Sequence, residues 1–113
     1  MRTLGPRKSD AILSVGSGLG HLGLSYWALT REQALMALDK FEAEAIGIIG
    51  GDVLAEKSGV LQHNYDSWHC EPEQDESNSA FVFRSTMKAR TYIANYPDTE
   101  CFFVIVPTDY LYP

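Results

Sequence analysis

The chain has no long hydrophobic run, few cysteines and little basic charge, and each shortage excludes a class of protein. No stretch approaches the roughly 20 consecutive apolar residues that a membrane-spanning helix needs. Arg2, Arg7 and Lys8 make the N-terminus basic, but Gly, Ser, His and Asp interrupt the next stretch, so it does not read as a signal peptide. The expected location is the cytoplasm, with no membrane partner. The two cysteines, Cys70 and Cys101, sit in different elements, and in the cytoplasm two free thiols are expected in preference to a disulfide. Nine basic residues face fifteen acidic ones, a net charge of −6. That balance argues against a nucleic-acid partner and favours a basic protein partner. Zinc needs about four ligands in tetrahedral reach. The His63, His69 and Cys70 neighbourhood has neither CxxC nor HxxxH spacing, so no metal and no other cofactor are expected.

What is present suits one compact core. In 113 residues, 45% are hydrophobic, enough to rule out a disordered chain. Residues 1–10 are polar and broken by Gly5-Pro6, and read as a flexible arm ahead of a single domain over 11–113. Ala11 to Val15 has the composition of a short strand. Gly16 to Gly23 reads as a flexible loop. Within it Gly18, Gly20 and Gly23 fit G-x-G-x-x-G, but a dinucleotide site needs a helix to open at those glycines, and the first clear helix start is Thr30.

Thr30 and Gln33 form a capping box, and Ala34, Leu38, Phe41 and Ala45 recur at helical spacing, so a helix is expected to about Ala45. Ile46 to Ile49 reads as a strand, with Gly50-Gly51 turning or bulging after it. Val53 to Ala55 and Val60 to His63 read as a hairpin closed by Glu56-Lys57-Ser58-Gly59. Glu71 to Glu76 is an acidic surface loop, and Ser77 or Ser79 can cap a second helix that Pro97 stops. Val82, Thr86, Ala89, Ile93 and Tyr96 form that helix's core stripe. Phe83 and Met87 are an apolar pair off the stripe, read as packing under a loop in preference to a contact surface. Cys101 to Val106 is a continuous apolar run that reads as the central strand. The order implies an α+β fold, a sheet of about four strands packed with two main helices.

Chemistry-bearing groups are sparse. Cys70 with a histidine is the minimum for a thiol nucleophile, yet it adjoins an acidic loop that disfavours a thiolate. A binding patch fits better. Tyr65, Asp66 and Trp68 lie past the hairpin, with Glu71, Glu73, Asp75 and Glu76 as a charged rim. The competing reading places Trp68 in the core. Phe83 and Met87 are the second candidate contact.

Four stretches carry a family resemblance: Trp27-Ala-Leu-Thr30, Gly50-Gly-Asp-Val53, Asn64-Tyr-Asp-Ser-Trp68 and Tyr92-Ile-Ala-Asn-Tyr-Pro97. Together, over roughly Ala11 to Pro107, the chain resembles the immunity protein 40 family of bacterial polymorphic toxin systems. The resemblance implies a protein that is not an enzyme and that binds and blocks a cognate toxin domain; it supplies no catalytic residues. The alternative is a small enzyme or ligand-binding domain using the Gly16–Gly23 loop or Cys70.

Overall fold

In the computed structural model, the described residues are 7–20 and 26–110. The elements run α1 (Lys8–Leu13), β1 (Ser17–Gly18), β2 (Trp27–Ala28), α2 (Arg31–Ala43), β3 (Ile48–Lys57), β4 (Val60–His69), α3 (Asn78–Asn95) and β5 (Phe102–Pro107), with a 3-10 turn at Thr108–Tyr110. The fold is α+β, as expected. A three-stranded antiparallel sheet in the order β4-β3-β5 is joined by the two-residue pair β1-β2.

Both main helices start where their caps predict. Thr30 Oγ1 accepts from the Gln33 N–H at 3.1 Å, and Gln33 Oε1 accepts from the Thr30 N–H at 3.0 Å. Ser77 Oγ accepts from the Ala80 N–H at 3.1 Å and opens α3. α2 buries Ala34, Ala37, Leu38 and Phe41, while α3 buries Phe81, Val82, Ser85, Thr86, Ala89 and Ile93. α2 ends two residues earlier than expected. Ala45 is exposed at φ 57°, with its N–H on the Glu42 carbonyl and the Ile46 N–H on the Phe41 carbonyl. That is a Schellman closure with alanine in the position glycine usually takes.

α3 carries no basic residue in its last turn, and α2 supplies one. Arg31 donates through Nη1 to the carbonyls of Ile93 (2.5 Å) and Ala94 (3.2 Å). Through Nη2 it donates to those of Tyr96 (2.9 Å) and Asp98 (2.7 Å). One guanidinium thus satisfies three carbonyls at the helix end, where intrahelical partners run out, and the Asp98 carbonyl just beyond it.

Three strand expectations are corrected. Ala11 to Val15 is not a strand, because Lys8–Leu13 is helical. Five apolar-rich residues do not distinguish a strand from the buried side of a short helix. Of the expected arm, residues 1–6 lie outside the described residues. Ser9 is buried, with its hydroxyl on Asp109 Oδ1 at 2.6 Å, and Tyr110 Oη donates to Asp10 Oδ1 at 2.9 Å. Secondly, Ile48-Ile49 and Val53–Ala55 belong to one strand, β3, which continues through Gly50-Gly51 without a turn, with a one-residue register shift against β5 between Ile48 and Gly50. The hairpin closes with two residues, Ser58 and Gly59, at φ 53° and 78°, as a type I′ turn requires. Thirdly, β3 is the central strand and β5 flanks it. Beyond β5, among the described residues, only Leu29 pairs, exchanging backbone hydrogen bonds with Phe103 at 2.8 Å. The apolar run in β5 does reflect cover on both faces: Phe103 and Ile105 lie in the helix-side core, and Val104 joins Leu54, Leu19 and Ala28 on the other side.

Candidate partner-binding surface

β4 is two residues longer than the β3 segment it faces. Leu54 pairs with His63 and Asp52 with Ser67, so Val53 alone stands opposite Asn64, Tyr65 and Asp66. The excess is taken up in a bulge in mid-strand, not at the hairpin's end, where the sequence reading put these residues. At its apex Tyr65 adopts φ 73° and is 94% exposed. Its neighbours are tied inward to the end of α3. Tyr96 Oη donates to Asp66 Oδ2 at 2.5 Å and accepts from Asn64 Nδ2 at 2.8 Å, and the Asp66 N–H donates to Asn64 Oδ1 at 2.9 Å. Burial, then the bond to Asp66, pushes the Tyr96 hydroxyl up to about 12, so it stays a proton donor at neutral pH.

Trp68, expected among the contact residues, belongs to the core. It is 5% exposed and its ring packs on Tyr92 at 4.9 Å between centroids. This packing explains Gly51: a Cβ there would lie 2.2 Å from the indole Cη2 and 2.2 Å from the Val104 carbonyl oxygen. Alternation along β4 turns Trp68 under the helices. A side chain already enclosed by its own fold offers a partner no surface, so Trp68 is removed from the contact set.

The acidic loop divides in the same way. Arg84 donates through Nε to Glu76 Oε2 and through Nη2 to Glu76 Oε1, both at 2.8 Å, and reaches the Glu71 carbonyl at 2.6 Å. These bonds, then one from the Glu73 N–H, hold the Glu76 carboxyl down at about 2 against an ordinary 4.5. With its side chain 10% exposed, Glu76 is the loop's internal anchor and not a free rim charge. Glu71, Glu73 and Asp75 are exposed, Asp75 at φ 63°. The bulge sits at the C-terminal end of α3 and the acidic loop at its N-terminal end, and Ser67–Cys70 separate Asp66 from Glu71, a span of at most about 18 Å for five residues. The expected single patch therefore has two parts.

The other candidates fall as follows. Phe83 and Met87 are 61% and 45% exposed, so packing under a loop is corrected in favour of a solvent-facing pair. Cys70 is buried, with Sγ accepting from Arg84 Nη1 at 3.3 Å, while His63 and His69 are exposed. Both cysteines are free, and burial pushes the Cys101 thiol up. No three His, Cys, Asp or Glu side chains group to hold a metal among the described residues. Ser17-Gly18 pairs with Trp27–Ala28, and among the described residues the next α-helix opens at Arg31; Gly23 lies outside the described residues. No helix among the described residues is long and apolar enough to cross a membrane. The sequence reading missed Asn64 and Tyr96 as site residues. The available signal was Asn64-x-Asp66 inside a strand-like run, a pairing that bonds its own backbone and breaks a ladder.

Three of the four stretches that carry the resemblance meet here: Gly51 lies under Trp68, Trp68 on Tyr92, and Asn64 and Asp66 on Tyr96. The family model of Immunity protein 40 matches residues 18–107, well over half the chain. No curated protein and no solved structure matches it. The chain belongs to the immunity protein 40 family.

Proposed function

We propose that the protein neutralises a cognate bacterial toxin domain by binding it in the cytoplasm, through Tyr65 and Asp66 on the β4 bulge, with Glu71, Glu73 and Asp75 as a second, charged contact. It acts by occupying the toxin and not by chemistry of its own. The observation that carries this reading is Tyr65, a large aromatic 94% exposed at positive φ. Such a side chain gives a free protein no packing energy, and the conformation persists only where the surroundings impose it. A net charge of −6 suits a partner that is basic where it meets phosphate. A contact of ordinary size, ~800 Å² on each partner, is broad enough to reach from the bulge to the loop.

A second reading has a specific observation behind it. Met36, Phe83 and Met87 are exposed apolar side chains on the two packed helices. If the toxin docks there, Phe83→Ala with Met87→Ala weakens binding and Tyr65→Ala does not. The test is co-purification with the product of the neighbouring gene, then association and dissociation rates for both variants. Retention by the wild type and loss with Tyr65→Ala supports the bulge; failure of the wild type to retain that product removes the proposed partner.

A further inference from the structure

A strand with two surplus residues has no intrinsic reason to hold one shape, and a tyrosine at φ 73° sits in a region that L side chains disfavour. Around the β4 bulge Tyr96 closes a ring of hydrogen bonds. The hydroxyl donates to Asp66 and accepts from Asn64, and the Asp66 N–H bonds back to Asn64. Tyr96 is itself fixed. Its carbonyl accepts from Arg31 at 2.9 Å, and its ring meets Phe103 edge-on at 5.8 Å and Tyr92 at 5.8 Å. A chain of contacts thus runs from Arg31 through Tyr96 to both neighbours of Tyr65. The Tyr65 side chain itself makes no hydrogen bond among the described residues and projects outward.

We propose that Tyr96 is a positioning residue for partner binding: it touches no partner, and it holds Tyr65 preformed for the toxin domain. This rests on the reading that Tyr65 contacts the toxin. An anchor ordered before encounter loses less conformational entropy on binding than one ordered during it, so the lock contributes affinity without contributing contact area.

Tyr96→Phe is the direct test, because it keeps the ring packing and removes only Oη. In the free protein, amide exchange at residues 64–66 should quicken by about tenfold or more as the bulge opens locally. Affinity for the co-purified toxin domain should fall about tenfold, while a second Tyr96→Phe change in a Tyr65→Ala background should add nothing, since coupled residues are not additive. Full additivity of the two losses, or unchanged exchange at the bulge, overturns the lock. Faster exchange with unchanged affinity in both Tyr96→Phe and Tyr65→Ala instead overturns the Tyr65 contact on which the lock's role depends. Should Tyr96→Phe not fold, Asn64→Ala removes one arm of the ring from the strand side and enters the same cycle, with the same outcomes.

Discussion

Trp68 and Tyr65 stand in one strand and end in opposite environments, one 5% and the other 94% exposed. Composition does not separate them; the bulge does. Trp68→Ala should cost about 3–5 kcal/mol of stability, as large-to-small changes in a core do, read as a lower urea midpoint. Any loss of binding would be a consequence of that. At Glu76 the carboxyl is held at about 2 against 4.5 when unfolded. A depressed folded-state value contributes stability above the unfolded value and loses it as pH falls toward the folded one. Wild type should therefore melt higher than Glu76→Gln at neutral pH, and the two curves should converge between pH 4.5 and about 2. Parallel curves across that range would mean the Arg84 pairing contributes nothing. At Ala45, φ 57° disfavours any side chain. Ala45→Gly should raise stability by about 1 kcal/mol in a chemical melt, because glycine takes that conformation without strain.

At the scale of elements, the helices were legible and the sheet only partly. A capping box and a 3.6-residue stripe are local signals: α2 begins right after the Thr30 box, and α3 begins after Ser77, one of the two serines that could cap it. Strand order is not local. Nothing in the apolarity of Phe102–Pro107 says whether β3 or β5 lies in the middle, and nothing around Gly50 and Gly51 says that an indole will lie over them. The edge strand β4 is broken by its bulge, and Lys88 Nζ donates to the His69 carbonyl, two devices that blunt an edge against strand pairing. The Arg31 cap on α3 was likewise hidden, since its partners lie more than sixty residues away. Arg31→Lys should not restore it, because an ammonium lacks the fork that reaches four carbonyls. Both Arg31→Ala and Arg31→Lys should lower stability, by about 2 kcal/mol for alanine. Faster amide exchange in the last turn of α3 would locate the effect.

Across the whole molecule, the acidic balance, the exposed bulge and the family match point to a protein partner. The candidate surface was legible in part. Tyr65, Asp66, Glu71, Glu73 and Asp75 are exposed where the sequence reading wanted contacts, whereas Trp68 and Glu76 are consumed in building the fold. The difference could not be read from residue type, because an aromatic or a carboxylate serves either purpose and only the contacts decide. The most direct measurement is the pair of rate constants for the cognate toxin domain with Tyr65→Ala and with the combined Glu71→Gln, Glu73→Gln, Asp75→Asn variant. Tyr65→Ala should raise the off-rate about thirtyfold, equivalent to ~2 kcal/mol, at an unchanged melting temperature. The loop variant should lower the on-rate and flatten its salt dependence. Wild-type rates in both variants, with the toxin still neutralised, would contradict binding through this surface.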